Sequence, residues 1–450
     1  MTHLTRLLLV AAFAFAQPAV AFERAYWAWQ RNEPPNARDL AALARQGVRT
    51  LYWQLGTLRN KGDSWQWAAR FQLPVVPDFE VVPVVRLESH AREPFSEKST
   101  QALLQSLAFV QKRERLQIDY DCPDRLLSDY AATLRRIRAL VPRLTITALP
   151  GWIGKKAMTE IAKNVDEVLP MFYDYAADPI VPGAAPEPLI VPEKGKSWLA
   201  AWNNYPSPWR AGVPNFARLT VYDPDGTSRG NIREWDWDSV TFNNSLMFVR
   251  QTDFGVSIFL AGANTRVGNT PLRKGQLLAA RWAERDALRQ LIAQAENSSA
   301  RGIVIFRLPD TTAASGWSLS QLSDLSAQPH LTLKAKTDSS GQLELMNDGS
   351  GDLPPVLPGG YLLQLETEKP IFREVDEGDF AHVRGEAGAE GRASRVMFPL
   401  ATRLTFSFSS LRAGERLETG LIQLAPEADY AQTRYRIVHS SQSQWQPFGK

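Results

Sequence analysis

Between Ala25 and Tyr173, short apolar runs of strand length alternate with segments whose apolar residues recur at helical spacing. This alternation narrows the possible folds more than any other feature. Ala25 to Gln30, Val48 to Leu55, Phe79 to Leu87, Glu114 to Asp121, Leu144 to Leu149 and Val165 to Tyr173 read as six strands, with Pro83 as a blemish in the third. Ala37 to Arg45, Thr100 to Arg113, Leu126 to Leu140 and Lys155 to Ala162 read as helices. Strands that are apolar on both faces and alternate with helices belong to parallel sheets. Six in succession favour an α/β fold closed as a (β/α)8 TIM-like barrel over an open doubly wound sheet. No Gly-x-Gly-x-x-Gly turn follows any of them, so a dinucleotide fold lacks support.

Arg210 to Phe216 reads as the seventh strand and Arg301 to Phe306 as the last. Between them, residues 218–276 look irregular and too long for a barrel loop, so they read as an insertion at a strand end. Leu277 to Asn297 reads as one long helix. After Pro329 the periodicity changes from helical to alternating, in Leu331 to Lys336, Gln342 to Met346, Tyr361 to Glu366, Leu404 to Phe408 and Tyr435 to Val438. The expectation is a barrel over residues 22–328, then a small all-β, sandwich-like unit over 329–450. Thr311 to Pro329 would be the exposed linker.

Residues 1–21 read as an export signal. Arg6 precedes a short apolar run, and Ala19-Val20-Ala21 is a small-residue cleavage site. A periplasmic or secreted protein with no membrane span in its mature chain is expected. With 51 basic and 48 acidic residues the charge is near balance, so nothing points to nucleic acid. The single cysteine, Cys122, excludes an intrachain disulfide and reads as packed, because the only histidine between Phe22 and Pro329 is His90. The same scarcity argues against a metal, and no cofactor is expected.

In a barrel the active site lies at the carboxyl ends of the strands. Asp119 and Asp121 end the fourth strand, where alternation points both to one side about 7 Å apart along the chain. Asp is a poor strand former, so such a pair suggests acid–base chemistry, although an edge strand with solvated acids would look the same. The other strand ends bring Trp29 and Arg31, Gln54, Arg86, Trp152, Met171 with Tyr173 and Asp174, and Phe306. Aromatic faces beside carboxylates and amides suit sugar rings, so a polysaccharide or oligosaccharide is the expected partner. For any one of the 14 tryptophans, core packing is the better account.

Three runs, Asp119-Tyr120-Asp121-Cys122-Pro123, Met171-Phe172-Tyr173-Asp174 and Gly212-Val213-Pro214-Asn215-Phe216, together resemble the signatures of glycoside hydrolase family 18, the chitinase-like enzymes. The order of motifs also resembles domain-of-unknown-function family 3142, a group of exported bacterial proteins. The likeness covers roughly the first two thirds of the chain. It implies that Asp121 stands where that family has its acid Glu, and Asp119 where it has the Asp that orients the substrate's acetamido group. Gln117 and Glu114 stand where it has earlier Asp residues. It implies substrate-assisted hydrolysis of a glycosidic bond. Asp121 is one methylene shorter than Glu and Gln117 carries no charge. The same likeness therefore also fits a non-catalytic carbohydrate-binding protein, or an envelope protein with a degenerate barrel site.

Overall fold

The computed structural model describes residues 22–176, 186–336, 341–389 and 391–448; the expected export signal lies outside them. Eight parallel strands form the barrel: β1 (Glu23–Ala28), β2 (Thr50–Lys61), β4 (Glu80–Glu88), β5 (Arg115–Asp119), β6 (Arg143–Ala148), β7 (Glu167–Pro170), β8 (Ala211–Pro214) and β16 (Gly302–Phe306). β3 (Ser64–Arg70) folds back antiparallel on the long end of β2. The seam between β7 and β8 is joined by the bridges Val168 to Trp209 and Met171 to Gly212. A Cβ on Gly212 would stand 3.2 Å from the Met171 Cα, the Pro170 carbonyl and the Trp27 ring, so glycine lets the seam close.

Helices α1 (Ala37–Arg45), α2 (Glu97–Ser106), α3 (Leu127–Arg138), α4 (Lys156–Asn164) and α5 (Pro192–Trp202) cover the barrel. Their first turns are set locally. Asn36 accepts from the Asp39 amide at 2.9 Å, and Ser96 caps α2 through the Ser99 amide. The buried stripe of α3 is Leu127, Tyr130, Leu134 and Ile137, each nearly or fully inaccessible. Truncating Leu134 to Ala would cost about 2–5 kcal/mol.

Strand parity divides the barrel side chains. Tyr26, Leu51, Trp53, Val85, Ile118 and Ile146 join the helix-side core, and Ala25, Trp27, Tyr52, Val82, Val84, Leu169 and Val304 fill the interior. At the amino end the interior is closed by a charged layer. Arg210 pairs with Glu23 at 2.7 Å and Glu167 at 2.9 Å, Arg115 pairs with Glu80 at 2.6 Å, and Tyr52 donates to Glu167 at 3.2 Å. Above this layer the Trp27 indole donates to the Gln117 amide oxygen at 2.6 Å. Gln117 is fully buried there, where a neutral amide is cheaper to desolvate than a carboxylate.

The segment after β8 is not irregular. β9 (Ala217–Tyr222), β10 (Ser228–Ile232), β11 (Leu246–Thr252), β12 (Val256–Ala261) and β15 (Leu277–Trp282) make an antiparallel sheet in the order β10-β9-β15-β12-β11. The short helix α6 (Asp238–Thr241) and the hairpin of β13 (Thr265–Val267) with β14 (Thr270–Leu272) complete it. The single helix expected over Leu277 to Asn297 is therefore two elements. β15 pairs with β9 and β12, and α7 (Arg285–Glu296) starts where Glu284 caps the Asp286 and Ala287 amides.

Beyond α8 (Leu319–Ser323) the chain forms antiparallel sheets. Leu331–Ala335 pairs with Leu343–Asn347, and Tyr361–Glu366 lies between Arg403–Phe408 and Arg434–Val438. Their apolar faces meet in a core of their own, from Leu331 to Phe448. The stretch Thr311 to Pro329, expected to be an open linker, is tied down. Ser315 and Gln321 are fully buried, Asn215 bonds the Trp317 backbone at both its amide and its carbonyl, and Asp352 accepts from the Ser318 amide and hydroxyl.

Candidate active site

A cleft of about 430 Å³ opens at the carboxyl end of the barrel, a size usual for small-ligand sites. Its walls include Trp27, Trp29, Arg86, Asp119, Asp121, Thr147, Met171, Tyr173, Asp174 and Phe306. Asp119 is the last residue of β5 and faces inward by the same parity as Gln117. Asp121 lies two residues past the strand. Between and beyond them, Tyr120 and Cys122 are buried on the helix side, Tyr120 with its ring 5.6 Å from Phe95 and 5.4 Å from Tyr130. This packing holds the alternation after the strand hydrogen bonds end, so both aspartates reach the cleft. Burial pushes the Cys122 thiol up to about 12, which makes it a packed residue without nucleophilic character.

The two acids have different surroundings. Asp119 is 8% exposed and accepts a 2.7 Å hydrogen bond from the Thr147 hydroxyl on β6. Desolvation holds its carboxyl above the ordinary range, against the lowering effects of Arg86 and Thr147. Asp121 stands at the mouth with 57% of its side chain open. The cleft walls, then the charge of Asp119, then that of Asp174 push it up to about 6, while Arg86 pulls it down. Because water reaches Asp121, salt screens these effects. Arg86, the neighbour of Asp119 across the β4–β5 ladder, has a guanidinium nitrogen 3.9 Å from Asp121.

The aromatic wall is built from four strand ends. Phe306, ending β16, lies face to face with Tyr173 at 6.2 Å and 15°, and meets the edge of Trp29 at 5.4 Å. Phe216 meets Tyr173 edge-on at 5.8 Å. Burial, reinforced by the Asp119, Asp121 and Asp174 charges, holds the Tyr173 phenol well above its ordinary value. It remains a donor in the physiological range.

Asp174 lines the cleft, but its carboxylate is already engaged. Its positive φ of 53° turns it toward the inserted sheet, where Arg218 of β9 binds it at 2.6 and 3.1 Å and Arg281 of β15 approaches to 3.5 Å. It anchors the insertion.

Three residues expected here lie elsewhere. Trp152 ends a short 3-10 turn, Pro150–Trp152, that swings its ring into the helix-side core against the edge of Tyr130. Gln54 points inward beneath the cleft and is spent on backbone. It accepts from the Gln30 amide at 3.0 Å and fixes the turn that carries Trp29. Arg31 sits over the Trp53 ring, outside the lining. Sequence reasoning missed Thr147, whose inward position follows from the same parity as Thr145. It also missed Arg218 and Asn231, which reach the cleft only because the insertion is a sheet. Among the described residues no cluster of His, Cys, Asp or Glu could hold a metal, and no helix is long and apolar enough to cross a membrane.

The model of the family described as "Domain of unknown function (DUF3142)" matches residues 80–233. That stretch holds Asp119, Asp121 and the run from Met171 to Asp174, as the motifs implied. No curated protein matches the chain. Among solved structures, the spore cortex-lytic enzyme SleL of Bacillus megaterium QM B1551 is 12% identical with a TM-score of 0.43, over 64% of this chain and 70% of that one. The C-terminal domain of a putative chitinase from Desulfitobacterium hafniense DCB-2 gives 12% and 0.43, over 64% and 93%. A glycoside hydrolase family 18 N-acetylglucosaminidase from Paenibacillus barengoltzii gives 13% and 0.41, over 64% and 95%.

Proposed function

We propose that this chain is an exported glycoside hydrolase that cleaves a glycosidic bond in a polysaccharide, with Asp121 as general acid and Asp119 as its buried partner. The observation that carries this reading is the unequal acid pair at the barrel mouth. One carboxyl is buried and bonded to Thr147; the other is open to ligand and pushed up to about 6. A pair whose surroundings differ in this way separates the role of proton donor from that of orienting partner.

In the first step Asp121 gives its proton to the glycosidic oxygen as the bond to the anomeric carbon breaks. An acetamido oxygen on the same sugar forms the new bond to that carbon, and Asp119 with the Tyr173 hydroxyl orients the acetamido group. Water then attacks the anomeric carbon, the bond from that carbon to the acetamido oxygen breaks to restore the acetamide, and the Asp121 carboxylate takes the water's proton, which restores the acid. Trp29 and Phe306 offer ring faces to the apolar side of the sugar.

One feature favours a second reading, a carbohydrate-binding protein without turnover. Asp121 has a short side chain, and a misplacement of about 1 Å can cost 100-fold in rate. A panel of glycans assayed for both cleavage and thermal shift separates the two. Cleavage that disappears in Asp121→Asn supports the hydrolase. Thermal shifts without any cleavage, unchanged in Asp121→Asn, support the binder.

A further inference from the structure

The cleft holds two arginines in opposite states. Arg218 gives two hydrogen bonds to Asp174, and the neighbouring Arg281 leans on the same carboxylate. The Arg86 side chain makes no hydrogen bond to any described residue. Its contacts are an ion pair to Glu88 at 3.5 Å and one to Asp121 at 3.9 Å, both too long for a hydrogen bond of good geometry. Glu88 is itself taken by Arg59 at 2.8 and 3.2 Å. The Arg86 side chain is 37% open, faces the cleft, and stands on a strand, so its position is fixed while its donors are unspent.

From this geometry we infer that Arg86 binds a carboxylate carried by the substrate, so that the glycan recognised by the cleft is an acidic one. This rests on the reading of the cleft as a sugar site. A guanidinium presents a planar fork of N–H donors that matches a carboxylate at two points, and the pairing is stronger than a neutral hydrogen bond. The three aspartates of the cleft do not cancel this attraction. Asp174 is bonded twice by Arg218, and Asp119 is 8% exposed and bonded to the Thr147 hydroxyl. Asp121 is the open acid at the mouth, and Arg86, which also feels the Asp119 and Glu88 charges, is the cation beside it. The Tyr173 hydroxyl, which also bonds no described residue, and the Trp29 and Phe306 rings supply neutral contacts for the rest of the sugar.

The carboxylate can be that of a hexuronic acid or that of a lactyl ether on an N-acetylhexosamine. Both present the same group to Arg86. The experiment uses two probes, a soluble oligosaccharide alternating hexuronate with N-acetylhexosamine and a short glycan strand bearing lactyl ethers. Each is paired with its carboxyl-reduced, neutral counterpart. Dissociation constants are measured by calorimetry in Asp121→Asn protein, and cleavage is followed in parallel with the unaltered chain. We expect at least one acidic probe to bind about 10-fold or more tightly than its reduced form. Arg86→Gln should abolish that difference and Arg86→Lys should restore part of it. The arm that shows the difference identifies the source of the carboxylate.

Equal binding of acidic and reduced forms in both arms overturns the inference, as does a preference that survives Arg86→Gln. Cleavage of neutral glycans without acidic preference leaves the hydrolase standing and removes this inference. Acidic preference without any cleavage does the reverse. Failure of every probe to bind removes both.

Discussion

Asp119→Asn should stabilise the protein at neutral pH and, on the proposed function, abolish glycan cleavage. The carboxyl is 8% exposed, and burial raises it above its ordinary value of 3.8. An acid raised by folding binds its proton more tightly in the folded state. Its favourable contribution is complete below the ordinary carboxylate value and is lost as pH climbs through the raised folded value. Asparagine keeps the shape and can still accept the Thr147 hydrogen bond, but it never ionises. Arg86 loses one counter-ion in the exchange, and its 37% open side chain is solvated in return. Relief of a buried charge without a full set of hydrogen bonds is worth about 1–3 kcal/mol. For a chain of this size that is about 1–3 °C in Tm. Thermal unfolding of both proteins from pH 4 to pH 8 is the assay. The two curves should nearly coincide at pH 4 and separate as pH rises, with the variant the more stable. A constant difference, or a variant less stable at pH 8, would refute the claim that Asp119 sits in the cleft at an energetic cost.

Three further outcomes follow. Asp121→Asn should lower glycan cleavage by about 100-fold or more while binding persists, and cleavage by the unaltered chain should decline as pH rises through about 6, because the acid must carry its proton; equal rates for the two proteins at pH 5 would end the general-acid assignment. Arg218→Ala should cost about 1–3 kcal/mol, because it leaves a partly enclosed Asp174 short of its two strongest bonds; hydrogen exchange should quicken in β9 and β10, and unchanged exchange there would show that the pair does not anchor the insertion. Native-state proteolysis should spare Thr311 to Pro329, whose Ser315, Gln321 and Leu322 are buried; release of two stable fragments cut inside that stretch would contradict the packing.

Where local pattern and tertiary partner agree, the sequence was sufficient. Ala37–Arg45 was legible to the residue because one apolar stripe and one capping Asn determine it. Asp119 and Asp121 were legible because strand alternation is a local rule and Tyr120 and Cys122 extend it. Leu277–Trp282 was not, since an apolar run before a capped helix reads as more helix, and its strand partners lie about sixty residues earlier in β9 and about twenty earlier in β12. The insertion looked irregular for a related reason. β12 is buried on both faces and β11 is largely exposed, so neither alternates. Trp152 misled because a single 3-10 turn decides whether a strand-end aromatic looks into the barrel or away from it. The β2–β3 hairpin did carry a signal, Gly62-Asp63 between two strand-like runs, with Gly62 at φ 68°.

The floor of the barrel has a consequence for traffic. Trp27 and Gln117 plug its middle, and the layer of Arg115, Glu167 and Arg210 seals its base. The cleft is therefore a cup with one rim and no exit below. A long polymer cannot thread it. On the proposed function, it would drape across the rim and dip one bond toward Asp121, and product would back out by the way it came. Residence time would then be set by the rim, by Arg86, Asn231 and the strands that carry them, so exchange of the inserted sheet for a shorter loop should change how long product stays more than how fast the bond breaks.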